Sequence, residues 1–95
     1  MTIPPVSTEL RQSLERHRFS LSPQPGMPVG EETVHVVLDH GGETLHAGRV
    51  IQDRGLWSAF AVVRPQSLWR ADEVGRYESF EDAVLAVLMS FTYVE

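Results

Sequence analysis

Apolar positions change period along this chain, and the changes mark out its elements. Val6, Leu10, Leu14, His17 and Leu21 recur at helical spacing, with Glu9, Arg11, Gln12, Glu15, Arg16 and Arg18 on the other side. Ser7, after Pro4-Pro5, is placed to cap that helix. The spacing predicts a helix over 6–19. Pro23, Pro25 and Pro28 with Gly26 and Gly30 then predict a stiff linker without regular structure over 20–31. From Thr33 the period becomes two: Val34, Val36 and Leu38 point one way, and Thr33, His35, Val37 and Asp39 the other. Gly41-Gly42 suits a hairpin turn that needs positive φ at both central residues. A second strand follows from about Thr44 to Gln52, and Asp53-Arg54-Gly55-Leu56 makes a second tight turn. The third strand, Leu56 to Arg64, is apolar on both sides and ends at Pro65.

Beyond it, Leu68 and Trp69 suggest a short fourth strand over 67–71, and 72–78 reads as a loop around Gly75. Ser79-Phe80-Glu81-Asp82 is a helix-start signal, and Phe80, Val84, Val87, Leu88 and Phe91 form a stripe over 80–92. The expected fold is therefore α+β in a single domain over 1–95. An N-terminal helix and a Pro-rich linker lead into a three- or four-stranded antiparallel meander over 33–71, and a C-terminal helix packs on one sheet face.

The two turns also predict registers. Gly41-Gly42 pairs Val37 with His46 and Leu38 with Leu45, and Arg54-Gly55 pairs Val50 with Ala59. Strict alternation then sends Val34, Val36, Leu38, Leu45, Ala47, Ile51, Phe60 and Val62 to the face that receives the C-terminal helix. The other face collects His35, Val37, Asp39, His46, Gly48, Val50, Trp57, Ala59, Ala61 and Val63. On that reading Trp57, Ala59, Ala61 and Val63 form an uncovered apolar patch, which makes them the expected protein-interaction site. The N-terminal helix is one candidate cover for it.

Composition narrows the chemistry. The chain has no Cys, so it has neither a disulfide framework nor a thiolate nucleophile. It has no Lys, which removes Schiff-base and P-loop chemistry. All eight basic residues are Arg, and Asn is also absent. That bias fits a high-GC genome of bacterial or phage origin. The net charge of −5 weighs against non-specific binding to nucleic acid and suits a partner with a basic face. Met1 to Pro5 has no basic n-region and no apolar h-region, and no apolar run approaches the length of a membrane span. A cytoplasmic protein without a membrane partner is expected.

No catalytic motif occurs, and the expectation is not an enzyme. Neither a cofactor nor a metal is expected; the only metal-ligand candidates are His35, Asp39 and His46. In the predicted register the two histidines are cross-strand diagonals on one face, about 7–8 Å apart. Arg64, Trp69, Arg70, Arg76 and Tyr77 interleave arginines with aromatic rings, a combination that suits base stacking and phosphate contact. Over residues 33–92 the order of three strands and one helix resembles the DNA-binding modules of AP2 domains and integrase arm-binding domains. The resemblance is one of element order, and it implies reading DNA through the sheet. The function expected from the sequence is a small non-catalytic protein-interaction or regulatory module, acting through a sheet face or loops on another protein or on a second copy of itself. The alternative is a nucleic-acid-binding βββα-type module.

Overall fold

The computed structural model describes residues 3–27, 30–62 and 71–91. Seven elements follow one another: α1 (Thr8–Arg16), β1 (Phe19–Pro23), β2 (Thr33–His40), β3 (Glu43–Asp53), β4 (Leu56–Val62), β5 (Ala71–Tyr77) and α2 (Phe80–Ser90). The strands form one antiparallel meander in chain order, β1-β2-β3-β4-β5. Among the described residues the architecture is α+β, with a helix before and a helix after a five-stranded sheet.

Both tight turns form as their residues require. Gly41 and Gly42 take φ of 59° and 88°, and Arg54 and Gly55 take 54° and 81°. The registers they dictate are present: Val37 opposite His46, Leu38 opposite Leu45, Val50 opposite Ala59.

Between the turns, alternation breaks. Val36 pairs with Gly48 but Val37 pairs with His46, so Ala47 is an extra residue in β3. A bulge of this kind reverses which face each following side chain takes. Val50 therefore joins Val34 and Val36 in the core, and Ile51 goes to the opposite side. The reversal carries into β4, where Trp57, Ala59 and Ala61 line the core face and Phe60 the other. The expected face assignment of β4 is thus inverted: α2 packs on Trp57, Ala59 and Ala61 rather than on Phe60. Val62, at the far end of β4, is fully buried.

Two further expectations are corrected. Helix α1 ends at Arg16 rather than at 19, and residues 20–23 of the expected linker join Phe19 in an edge strand, with Phe19 opposite Leu38 and Pro23 opposite Val34. Proline is tolerated there because an edge strand does not need every N–H. Residues 71–77 are a strand rather than a loop. Its pattern is obscured by a second bulge, since Ala59 pairs with Gly75 and Phe60 with Glu73, leaving Val74 unmatched. The proposed strand positions at 67–70 lie outside the described residues.

The core lies between one sheet face and both helices. Leu10 and Leu14 of α1, and Phe80, Ala83, Val84 and Val87 of α2, close over Val34, Val36, Ala47, Val50, Trp57, Ala59 and Ala61. The ring of Phe80 meets Trp57 edge-on with centroids 4.9 Å apart, so α2 rather than α1 covers the indole. Phe19 and Phe91 make a second edge contact at 6.2 Å, joining β1 to the end of α2. Gly48 lets α2 approach: a Cβ there would lie 2.7 Å from Val87 Cγ1 and would collide with the Phe60 carbonyl oxygen.

The helix starts are tied to each other. Ser7 Oγ accepts from the Leu10 amide at 3.1 Å, and Ser79 Oγ from the Asp82 amide at 3.2 Å. The Ser7 amide and hydroxyl both donate to the Glu81 carboxylate, at 2.8 and 2.9 Å. One carboxylate thus serves the positive ends of both helices.

Candidate functional site: the helix-free face of the sheet

With both helices on one side, the other side of β3, β4 and β5 has no helix on it among the described residues. Alternation after the Ala47 bulge places Arg49 and Ile51 of β3, Ser58 and Phe60 of β4, and Glu73 and Arg76 of β5 there. These residues pair directly: Arg49 with Phe60, Ile51 with Ser58, Ser58 with Arg76, Phe60 with Glu73. Ile51, Ser58, Phe60, Glu73 and Arg76, together with Met27 and Glu31 from the β1–β2 connection and Gln52 and Asp53 from β3, line a cleft of about 520 Å³. The cleft floor is apolar, made of part-buried Ile51 and Phe60 with Ser58 between them. Its rim carries three carboxylates, Glu31, Asp53 and Glu73, against one guanidinium, Arg76. Arg76 Nε donates to Glu73 Oε2 at 3.2 Å; both side chains are largely solvated, so the pair orders the rim more than it stabilises the fold. Just outside the cleft, the Arg49 guanidinium lies 4.9 Å from the Phe60 centroid and holds the ring in place.

The same face carries the histidines further along β2 and β3. His35 and His46 sit as cross-strand diagonals, since His46 lies opposite Val37, and their rings converge. His35 Nδ1 and His46 Nε2 are 3.0 Å apart, with ring centroids at 5.1 Å. Gln24 meets the far side of His35, its Oε1 2.9 Å from His35 Nε2, while its own amide nitrogen donates to Met27 Sδ at 3.4 Å. That amide orientation sets the tautomers: His35 Nε2–H donates to Gln24, so His35 Nδ1 accepts from His46 Nε2–H. Burial, and then the Arg49 charge, lower the His35 pKa; burial, then His35, then Arg49 lower that of His46. Both shifts favour the neutral ring. Asp39, the third ligand candidate, is exposed near the end of β2, and among the described residues no group of three or more His, Asp or Glu is arranged to hold an ion.

The residues singled out for protein interaction are elsewhere. Trp57, Ala59 and Ala61 are 7%, 0% and 0% exposed beneath α2, so they are core rather than contact surface; Val63 lies outside the described residues. Of the nucleic-acid set, Arg64, Trp69 and Arg70 also lie outside them. Arg76 is exposed and engaged by Glu73, and Tyr77 packs against the core over Gly75. The alternation had pointed to Phe60 and Ile51 as core, and they became the cleft floor only through the bulge. The signal that could have exposed this is Ala47-Gly48, two small residues inside a long strand, where a bulge or a close backbone approach is the usual cause. No helix among the described residues is long and apolar enough to cross a membrane.

No family model, no curated protein and no solved structure matches this chain.

Proposed function

We propose that this protein is a small, non-catalytic binding module that takes a basic segment of another protein into the cleft over Ile51 and Phe60. The observation that carries this reading is the cleft itself: an apolar floor on the side of the sheet away from the helices, rimmed by Glu31, Asp53 and Glu73. Such a site suits a segment with an aliphatic or aromatic anchor flanked by Arg or Lys. The floor supplies desolvated area, and the rim supplies orientation and faster encounter. Charge favours a different protein over a second copy of this one, because two chains of net charge −5 repel each other. The same balance disfavours nucleic acid, and the one described arginine on the rim is already paired with Glu73.

Selection from a random peptide library on the full chain tests this. The enriched peptides are expected to combine a large apolar residue with neighbouring Arg or Lys. Their binding should be lost in Phe60→Ser, weakened by about tenfold in Asp53→Arg, and reduced further by salt. Enriched peptides that bind Phe60→Ser as well as the parent, or that carry acidic rather than basic residues, would refute the reading. So would a selection that enriches nothing.

A further inference from the structure

We propose that His35 and His46 form a two-imidazole site for a divalent transition-metal ion of the zinc, nickel or copper class. The spacing is already that of cis ligands. Two nitrogens bound to one ion at about 2.0–2.1 Å lie about 2.9 Å apart at a right angle and about 3.3 Å apart in a tetrahedron. The two ring nitrogens here are separated by 3.0 Å. The far nitrogen of His35 donates to Gln24 Oε1 at 2.9 Å, the arrangement by which an outer carbonyl fixes the tautomer and orientation of a metal-bound imidazole.

Metal entry needs no net loss of protons. His35 Nδ1 already presents a lone pair. His46 moves its proton from Nε2 to Nδ1 through solvent, freeing Nε2 as the second ligand. Each ring then turns by about 35–45° so that the lone pairs meet at the ion rather than at each other. The backbone supports the pair from adjacent strands, with the Ala47 bulge next to His46 and the two rings inclined at 57°. Among the described residues no third protein ligand joins them, so the remaining positions are open to water or to a partner's side chain. Neutral imidazole nitrogens with open positions suit borderline metals; magnesium and calcium, which want oxygen, are not expected to bind.

Arg49 gives the site a distinctive signature. It lies directly opposite His35 on the same face of the sheet, and its charge opposes a bound cation. Replacing it should therefore tighten metal binding, which loss of a merely structural residue would not do.

The test is titration of the full, untagged chain with zinc chloride, followed by calorimetry and by imidazole nitrogen NMR shifts. One ion per chain is expected, with the metal-induced shift at His35 Nδ1 and His46 Nε2. His35→Ala or His46→Ala should abolish binding, Gln24→Ala should weaken it by up to about tenfold, and Arg49→Gln should strengthen it. The NMR assignment needs no variant, so a variant that fails to fold does not protect the proposal. No binding up to roughly 1 mM zinc, an affinity of little consequence, overturns the site. So do shifts confined to His17 or His40, or undiminished binding in either histidine variant.

Discussion

At the scale of single residues, the histidine pair is the most constrained feature of the exposed face. Two neutral rings share one hydrogen bond, and burial first, then the nearby Arg49 charge, disfavours an added proton on either ring. The folded state therefore resists protonation that the unfolded chain accepts. Where the folded pKa lies below the unfolded one, the unfolded state holds more protons between the two values, and stability falls as pH falls through that window. For this pair the loss begins near the ordinary histidine value of about 6.5 and continues downward. Urea unfolding with a chelator present, at pH steps from about 7.5 to about 5.5, should show the parent losing stability faster than the His35→Gln/His46→Gln double variant. Equal slopes would show that the pair titrates in the folded state as it does in the unfolded one.

At the scale of elements, the bulge at Ala47 decides the architecture. It is also where the sequence reading parted from the structure. The turns were legible because Gly41-Gly42 and Arg54-Gly55 carry specific backbone demands, and the pairings they imply are the ones observed. The helix starts were legible for the same reason: Ser7 and Ser79 each cap with the side chain expected of them. A bulge makes no such demand on side-chain type. It leaves both flanking registers intact and changes only the parity between them, so Trp57 and Phe60 exchanged roles without any local warning beyond the small pair Ala47-Gly48. The edge strands were hidden for other reasons. Pro23 masks β1, and an unmatched Val74 among charged neighbours masks β5. Gly48 now has a defined task, since Val87 of α2 rests on its backbone. Gly48→Ala should destabilise the protein toward the upper part of the roughly 1–3 kcal/mol typical of overpacking, read as a lower urea midpoint with unchanged slope. Had strict alternation held, Gly48 would face away from α2 and the same change would be nearly silent.

At the scale of the whole molecule, the two sides of the sheet divide the work. One side holds the fold together: α1 and α2 seal the tryptophan and the valines of the core, and Glu81 fastens the two helix starts to each other. The other side leaves a cleft with an apolar floor and an acidic rim, and beside it a pair of imidazoles backed by a glutamine. The proposed peptide cleft depends on this division, because it exists only if α2 lies on the Trp57 side. Aromatic and methyl nuclear Overhauser spectra of the isotope-labelled full chain test the division most directly. The structure predicts cross-peaks from the Trp57 indole to the Phe80 ring and from the Gly48 α protons to the Val87 methyls, with none from α2 to Phe60 or Ile51. Cross-peaks linking the Val84 or Val87 methyls to the Phe60 ring, with Trp57 free of Phe80, would contradict it and return the open face to the side bearing Trp57, Ala59 and Ala61.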